Sequence, residues 1–332
     1  MKTLVIAEVG VNHNGSVELA KELIDAAVYA GADIVKFQTF KADKIVSKDA
    51  PKAMYQQNEI GGETQYSMLK RLELTNQEHF LLKRYCEAKN IRFLSTAFDF
   101  ASIDFLHNMG LALWKIPSGE VTDYPYLRKI AKFGEPIIMS TGMCSLDEIS
   151  YAINVLISNG ASIDKLTVLH CNTDYPTPMK DVNLKAMLEI KDQFSVKVGY
   201  SDHTLGLEIP IAAVALGASV IEKHFTLSRG LTGPDHKASL EPDEFRQMVI
   251  AIRNVEVALG SGHKIVSDSE KRNINVVRKN IVAASYIRKG DVFSEANITV
   301  KRSGGGISPI RWNEIIGKVA NRDFKPDDAI EL

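Results

Sequence analysis

The sequence predicts an α/β fold in which a (β/α)8 TIM barrel is followed by a small C-terminal domain. Within residues 1–262 of the 332, eight short apolar runs alternate with segments of helical periodicity. The runs carry few polar residues on either face, which is typical of parallel strands covered by helices on both sides. Eightfold alternation of this kind favours a closed barrel over an open doubly wound sheet. No Gly-rich dinucleotide fingerprint follows the first run, and this also disfavours the open sheet.

The predicted elements follow one another at regular intervals. Strands are predicted over residues 3–11, 33–40, 91–98, 112–116, 136–141, 166–171, 196–200 and 219–225. Helices are predicted over residues 16–29, 76–89, 101–109, 126–133, 145–158, 184–194, 209–216 and 242–259. Gly31 is placed to end the first helix, and Ser145 with Glu148 predicts a capping box at the start of the fifth.

Two stretches fall outside the repeat. Residues 41–74 are too long and too polar for an ordinary connection, which indicates a lid or a substrate loop. After residue 262 the pattern changes to short strands and turns, so we predict a catalytic domain at 1–262, a linker at 263–279 and a second domain at 280–332. A segment of about fifty residues buries little core alone, and we expect it to dock on its own barrel or on a partner chain.

Composition narrows the functional classes. The formal net charge is −1, which offers no electrostatic basis for binding nucleic acid or an anionic membrane. The N-terminus begins directly with a strand and lacks the features of a signal peptide, and no apolar stretch reaches the length of a membrane span. The three cysteines are an odd number without metal-type spacing, which predicts reduced thiols and a cytoplasmic location.

Two histidines stand at the ends of the last two predicted strands. His203 follows the sequence GYSD, and His224 follows EK. The C-terminal ends of neighbouring parallel strands meet at the rim where a barrel of this kind carries its chemistry. Imidazole is the commonest protein ligand for a transition metal, so the pair favours a half-built metal site with open positions. The alternative interpretation makes each histidine an ordinary polar residue at a strand end.

Two lysines come from strands predicted to be buried, where an unpaired ammonium group is costly. They are Lys36 and Lys115, and the hydroxyl groups expected at the same mouth belong to Thr96, Ser118 and Ser201. Lysines with hydroxyls and backbone amides suit a phosphate monoester, and a metal beside it suits polarising a carbonyl of a second substrate. Alternatively, the lysines form buried salt bridges with Glu8 and Glu120 and bind no ligand.

Ten motifs spread over nearly the whole chain carry a resemblance to a known family. They are IAEVGVNHNGS, ADIVKFQT, FLSTAF, WKIPSGE, IIMSTGM, LHCNTDYPTP, GYSDHT, EKHFT, GPDHKASLEPDEF and VKRSGGG. In this order they resemble the sialic acid synthases, which condense phosphoenolpyruvate with an N-acetylated mannosamine-type sugar. The tail resembles the antifreeze-like (SAF) domain of those enzymes. The resemblance implies a domain-swapped homodimer, in which the SAF domain of one chain covers the barrel mouth of the other.

The resemblance also implies roles for individual residues. His203 and His224 would bind a divalent metal, manganese first, with magnesium or cobalt as alternatives. Phosphoenolpyruvate would be held by Lys36, Thr96, Lys115, Ser118 and Ser201. The sugar and the proton movements would be handled by Glu8, Gln38, Glu120, Tyr175 and Asp235, with Thr173 as a further substrate-binding candidate and Arg302 reaching the N-acetyl group from the partner chain.

The implied reaction begins when the metal polarises the aldehyde of the open-chain sugar. The methylene carbon of phosphoenolpyruvate then attacks this aldehyde. A water activated by Glu8, or by Glu120 as second choice, adds to the central carbon, and phosphate leaves.

The loop HCNTDYPTP departs from the HCTN pattern of many neuraminic acid synthases, because its amide and hydroxyl are transposed and Asp174 precedes Tyr175. Together with GPDHKASLEPDEF, it resembles the bacterial branch that makes legionaminic-type sugars. This favours 2,4-diacetamido-2,4,6-trideoxymannose as acceptor and Asp174 as the first specificity candidate. The alternatives are an N-acetylneuraminate synthase using N-acetylmannosamine and, more remotely, a pseudaminic acid synthase or a deoxy-octulosonate-type synthase. A metal-dependent aldolase using free pyruvate and a non-enzymatic ice- or glycan-binding scaffold are further alternatives.

Overall fold

A computed structural model describes residues 2–48 and 64–332. The chain divides into two compact units, Met1–Gly260 and Ser261–Leu332. The predicted insertion at 41–74 lies partly outside the described residues, since 49–63 are not among them. None of the described helices combines the length and the apolar character needed to cross a membrane.

The larger unit contains the eight predicted strands and their helices. The strands are β1 (Leu4–Gly10), β2 (Ile34–Thr39), β3 (Arg92–Ala97), β4 (Trp114–Ile116), β5 (Ile137–Ser140), β6 (Leu166–Cys171), β7 (Lys197–Asp202) and β8 (Val220–His224). The helices are α1 (Val17–Ala30), α2 (Ala42–Ile45), α3 (Gln65–Leu72), α4 (Asn76–Ala88), α5 (Phe100–Asn108), α6 (Tyr124–Ala131), α7 (Leu146–Ser158), α8 (Ala186–Phe194), α9 (Glu208–Ala215) and α10 (Pro242–Ala258). The predicted bounds are therefore shifted by a few residues at most, except that α2 and α3 occupy part of the 41–74 insertion.

Local sequence signals explain where these helices begin and end. Ser145 and Glu148 form the predicted capping box, in which the serine hydroxyl accepts from the backbone of Glu148 and the glutamate accepts from the backbone of Ser145. Gly31 ends α1 with a φ of 81°, a left-handed conformation that glycine adopts without a Cβ clash. These signals fix the short connections that hold each strand end at the barrel rim.

All eight strands are parallel and hydrogen-bonded in the order β3-β2-β1-β8-β7-β6-β5-β4. Each strand lies beside its sequence neighbour, β1 pairs with β8, and β3 lies against β4, so the sheet closes into the predicted barrel. In the register of β1, Glu8 stands opposite Lys36 on β2 and opposite His224 on β8. The register alone therefore brings three of the predicted site residues together.

The smaller unit contains α11 (Asp268–Val277), β9 (Asn280–Ala283), β10 (Ile298–Lys301) and α12 (Trp312–Ile315). Strands β9 and β10 pair antiparallel. The stretch expected to be a linker thus carries a helix. The unit also has its own core, which includes Ile281, Phe293, Phe324 and Ile330, all fully buried. This is more core than the length of the segment led us to expect, because short irregular strands and isolated bridges enclose it on several sides.

Candidate active site

The C-terminal ends of the barrel strands surround a cavity of about 430 Å³. Twelve of the side chains predicted from the sequence line it: Glu8, Lys36, Gln38, Thr96, Lys115, Ser118, Thr173, Tyr175, Ser201, His203, His224 and Asp235. They come from seven strands or the loops that follow them, which is the arrangement expected when side chains at successive strand ends converge on one mouth.

Lys36 lies between two carboxylates at the floor of this cavity. Its Nζ is 2.6 Å from Oε2 of Glu8 and 3.7 Å from Oε1 of Glu222, and all three side chains are nearly inaccessible to solvent. Burial lowers the pKa of Lys36, but Glu222 and Glu8 raise it further than burial lowers it, so the ammonium form is favoured. Burial raises the pKa of Glu8 to about 7 despite the opposing charge of Lys36.

Lys115 lies on the other side of Glu222. Its Nζ is 3.6 Å from Oε1 of Glu222 and donates to Oγ of Ser140 at 2.7 Å. Burial lowers its pKa, and Glu222 only partly opposes this effect. Desolvation raises the pKa of Glu222, but Lys115 and Lys36 lower it more, so this carboxylate is held ionised between two ammonium groups. An anion entering the cavity would meet two buried cations at the same place.

Three hydroxyls extend this cationic floor. Thr96 Oγ1 accepts from Lys36 Nζ at 3.3 Å, and Ser201 Oγ donates to Glu222 at 3.2 Å. Ser118 Oγ accepts from the backbone N–H of Gly142 at 2.8 Å, which leaves its own hydrogen for a ligand or for Cys171 Sγ at 3.4 Å. Lysine ammonium groups combined with hydroxyls match the charge and hydrogen-bonding capacity of a phosphate monoester.

The two histidines stand side by side at the ends of β7 and β8, with ring centroids 5.5 Å apart. The ring of Tyr175 stacks on His203 at 4.1 Å and contacts His224 edge-on at 5.4 Å. His203 Nδ1 hydrogen-bonds the backbone carbonyl of Asn172, and its Nε2 is 3.5 Å from Oγ of Ser201. Burial lowers the pKa of His203 to about 4 and that of His224 well below its ordinary value, so both rings are neutral near pH 7.

These residues fit a divalent metal with open coordination positions. His224 Nδ1 is buried without a hydrogen-bond partner among the described residues, and Oδ2 of Asp235 is 3.9 Å from it. A metal-binding imidazole usually donates a hydrogen bond from its second ring nitrogen to a carbonyl, as His203 does, and this bond fixes the orientation of the ring. Within residues 2–48 and 64–332, no group of three or more His, Cys, Asp or Glu is arranged as a complete site. Two imidazoles would therefore leave positions for substrate or water.

Glu120 and Arg302 are the two predicted residues that do not belong to the cavity lining. Glu120 ends the short 3-10 turn Ser118–Glu120, which breaks the strand alternation after β4. It is half-buried, and burial with the charge of Asp123 raises its pKa to about 7. Arg302 follows β10 in the smaller unit and is exposed.

Two residues that complete the cluster, Glu222 and Ser140, stand at predicted strand ends, but the sequence assigned them no role in the site. A signal for Glu222 was present, because it stands two positions before His224 on one strand and must face the same side. The alternative of buried salt bridges with Glu8 and Glu120 is met only in part. Lys36 pairs with Glu8, as that alternative required, whereas Lys115 pairs with Glu222 and not with Glu120.

Comparison with known proteins identifies the family. The profile of the NeuB family matches residues 23–264, and that of the SAF domain matches residues 278–331. The chain is 53% identical over 330 residues to an N,N'-diacetyllegionaminic acid synthase of Campylobacter jejuni, covering 99% of both chains. It is 48% identical over 321 residues to the enzyme of that name from Legionella pneumophila, covering 96% of this chain and 90% of the relative.

A solved structure gives the same result at the level of the fold. The N-acetylneuraminic acid synthetase of Leptospira borgpetersenii, crystallised with citrate, superposes with a TM-score of 0.72 at 33% identity. The match covers 82% of this chain and 90% of that one. The chain therefore belongs to the NeuB family.

Proposed function

We propose that this protein is a nonulosonic acid synthase that condenses phosphoenolpyruvate with an open-chain N-acetylated amino sugar and water, and releases phosphate. The acceptor favoured is 2,4-diacetamido-2,4,6-trideoxymannose. The observation that carries the proposal is the convergence of Lys36 and Lys115 on one buried carboxylate, beside two neutral histidines in the same cavity. Membership of the NeuB family and the names of the two legionaminic acid synthases support the sugar class.

The phosphate of phosphoenolpyruvate binds against Lys36 and Lys115, with hydrogen bonds from Ser118 and Ser201 and support from Thr96. Both ammonium groups are already desolvated, so little solvent reorganisation accompanies the departure of phosphate. The carboxylate of Glu222 keeps the two cations 3.7 and 3.6 Å from its own oxygen and so fixes their spacing. Substrate binding and leaving-group stabilisation thus rest on the same side chains.

His203 and His224 would hold a divalent metal, most suitably manganese, which would supply Lewis-acid polarisation of the sugar aldehyde. Tyr175 stacks on His203, and Asp235 lies beside His224, so both are placed to orient the sugar near this carbonyl. Gln38 donates to Glu8 at 3.2 Å and fixes that carboxylate at the edge of the sugar site.

Glu8 is the base in this scheme. A carbon–carbon bond forms between the methylene carbon of phosphoenolpyruvate and the aldehyde carbon, whose oxygen takes up a proton and becomes a hydroxyl. Water adds to the central carbon and gives one proton to Glu8, which returns a proton to the new alkoxide oxygen. The bond from the central carbon to the phosphate oxygen then breaks, the second water proton leaves with the phosphate, and the central carbon becomes a ketone. A carboxyl group with a pKa of about 7 suits proton transfer near neutral pH. Glu120, which does not line the cavity, is the weaker candidate.

The composition of the cavity favours an unphosphorylated acceptor. Among the described residues that line it, Lys36 and Lys115 are the only Lys or Arg side chains. A deoxy-octulosonate-type synthase needs a second phosphate site for its sugar phosphate, and these residues do not provide one. The domain-swapped homodimer, with Arg302 of one chain serving the other, remains part of the proposal and is tested by the molar mass in solution.

The test is phosphate release by purified protein supplied with manganese(II), phosphoenolpyruvate and one sugar per reaction. We expect the diacetamido sugar to give the highest kcat/KM, followed by N-acetylmannosamine. Replacing phosphoenolpyruvate by pyruvate should abolish product formation. His203→Ala should lose turnover and manganese affinity with an unchanged unfolding transition, whereas the exposed His263→Ala serves as the control.

Release of phosphate only with a phosphorylated sugar would overturn the proposal in favour of the octulosonate-type reaction. Product from pyruvate without phosphate would favour an aldolase. Absence of turnover with every sugar would favour a non-enzymatic role.

A further inference from the structure

The cavity has an apolar wall in addition to its charged floor. The wall is formed by Val11, Met68, Leu69, Leu72 and Phe98. Met68, Leu69 and Leu72 lie on α3, within the insertion of residues 41–74, and the other two follow β1 and β3. We propose that this apolar wall selects acceptor sugars that carry methyl groups where ordinary hexosamines carry hydroxyls. The inference rests on the proposed function and identifies the side chains that set its substrate class.

The wall belongs to a separate hydrophobic cluster rather than to the barrel core. Val11, Phe40, Met68 and Leu72 are buried together, with Leu69 and Phe98 packed against them. Phe98 and Phe40 meet edge to face with ring centroids 6.4 Å apart, which holds the Phe98 ring in place. A residue whose only role was to bury α3 would have no reason to face the cavity, yet these side chains contribute both to the cluster and to the lining.

Topology places the wall over one arc of the barrel. Strands β1, β2 and β3 are adjacent, and the wall residues follow β1 and β3 or lie in the connection after β2. The histidines instead end β7 and β8, and Lys115 belongs to β4. An acceptor whose aldehyde lies near the histidines can therefore extend the remainder of its chain along the β1–β3 arc.

The two candidate sugars differ in groups that such a wall distinguishes. The diacetamido trideoxy sugar has a methyl group at C6 and an acetamido group at C4, and N-acetylmannosamine has hydroxyls at both positions. A methyl group gains free energy when it leaves water for an apolar surface, whereas a hydroxyl without a partner loses a hydrogen bond there. The wall thus favours the first sugar and penalises the second.

Asp174, the specificity candidate chosen from the sequence, is less well placed for this role. It is exposed, and it is not among the residues that line the cavity. Its backbone shapes the loop, since its N–H donates to Asn172 Oδ1 at 2.7 Å and its carbonyl accepts from Thr177 Oγ1 at 2.8 Å. The structure therefore moves the selectivity argument from this carboxylate to α3.

The experiment compares Leu69→Asn, Leu69→Met and the control Leu81→Asn. Leu69 is a partly accessible member of the wall, as is Phe98, and Leu81 is a 50% exposed leucine on α4 outside the cavity. For each protein, kcat/KM is measured with the diacetamido sugar and with N-acetylmannosamine, and KM is measured for phosphoenolpyruvate. Circular dichroism and thermal unfolding establish that each variant is folded.

For Leu69→Asn we expect the ratio of the two kcat/KM values to fall about tenfold, the effect of changing one apolar contact in a pocket, while KM for phosphoenolpyruvate stays within about twofold. Leu69→Met and Leu81→Asn should keep the wild-type ratio. An unchanged ratio in a folded Leu69→Asn, or equal losses with both sugars, would overturn the role of the wall. Absence of phosphate release by the wild-type protein with either sugar would instead overturn the proposed function, so the two failures are distinguishable.

Discussion

Two buried ionic clusters share strands β7 and β8, and the second also includes Lys36 of β2 and Lys115 of β4; they differ in how completely their polar groups are hydrogen-bonded. Lys223 and Asp202 are both fully inaccessible to solvent, and the Lys223 ammonium donates to this carboxylate and to the carbonyl of Thr204. Asp202 also accepts from the backbone N–H and from the hydroxyl of Thr204, each at 3.1 Å. Neither Asp202 nor Lys223 lines the cavity.

The side chains next to Asp202 and Lys223 in sequence point to the opposite face of the sheet. They contribute to the cavity floor. There, Oε2 of Glu222 and Nδ1 of His224 are buried without a hydrogen-bond partner among the described residues. Lys36 and Lys115 share the single oxygen Oε1 of Glu222 at 3.7 and 3.6 Å, which are long contacts. The comparison indicates that a cluster whose buried groups all have hydrogen-bond partners maintains the fold. A cluster in which some buried polar atoms lack a partner is arranged to bind a ligand.

The largest effect expected from this comparison is on turnover. Lys115→Met removes one of the two cations that stabilise the leaving phosphate, so kcat should fall about 100- to 1,000-fold. Glu222 keeps Lys36 and the Ser201 hydroxyl as partners after this change, so the free energy of unfolding should fall by less than the roughly 3–5 kcal/mol expected when a buried charge is left unpaired. Phosphate release and urea unfolding measure the two quantities, and a large loss of stability would contradict the assignment of Lys115 to the site.

The converse prediction concerns Lys223→Met. This change leaves the Asp202 carboxylate buried without its cation, and we expect the free energy of unfolding to decrease by about 3–5 kcal/mol. The double variant Asp202→Leu/Lys223→Met removes both charges and should recover most of this loss. Urea unfolding checks both proteins. If Lys223→Met alone were as stable as the wild type, completeness of hydrogen bonding would not distinguish the two clusters.

The barrel and most of its lining could be predicted because both depend on strand position. Parallel strands buried on both faces leave continuous apolar runs in the sequence, and residues at their C-terminal ends meet at one rim. Gln38, Thr96 and Ser201 reach the cavity for this reason. Glu120 does not line it, although Ser118 in the same 3-10 turn does, because side chains in a turn of this kind no longer alternate between two faces as they do in a strand.

The apolar wall could not be predicted in the same way. Met68, Leu69 and Leu72 give a helical pattern within a polar insertion, and nothing local shows that one side of this helix faces the barrel mouth. Their placement depends on packing against Val11 and Phe40, which are distant in sequence. The core of the smaller unit was missed for a related reason, because it is assembled from isolated bridges such as Ile287 with Phe324.

A smaller effect is expected at Asn12, a buried amide that follows β1 and has its bonds outside both ionic clusters. Asn12 is fully buried, and its Nδ2 donates to the carbonyl of Phe225 and to Oγ of Ser239, both at 2.9 Å. Ser239 Oγ in turn donates to the carbonyl of Asp235 at 2.6 Å. Asn12→Ala should lower the free energy of unfolding by about 1–3 kcal/mol because it leaves these buried groups without their donor.

The same variant should raise KM for the sugar, since the loop that carries Asp235 loses its link to the end of β1. Ser239→Ala should produce a smaller change in the same direction. Steady-state kinetics with urea unfolding measure both effects. A rise in KM without any loss of stability would show that Asn12 contacts the sugar itself and does not act through the loop.

The smallest effect is expected at the opposite end of the barrel, where Asp33 lies in a network of ion pairs. Its carboxylate has several hydrogen-bond partners but is only partly shielded from solvent. Burial raises the pKa of Asp33, but hydrogen bonds from Lys2 and from the backbone of Val5, with the charge of Arg253, lower it further than burial raises it. The Arg253 guanidinium is 2.7 Å from Asp33 Oδ2. Asp33→Asn should therefore cost about 1 kcal/mol of stability near neutral pH.

This cost should depend on pH in a defined direction. Because the pKa of Asp33 is lower in the folded chain than its ordinary value of 3.8, its contribution is present above that value and is lost as pH falls through the folded pKa. The stability difference between wild type and Asp33→Asn should thus shrink in urea unfolding as the pH is lowered below the ordinary value. Glu87→Gln, which removes an exposed i,i+4 pair with Lys83 on α4, should cost no more than about 0.5 kcal/mol at neutral pH. An Asp33→Asn difference that persists unchanged at acid pH would mean that the carboxylate stabilises the barrel through shape rather than through charge.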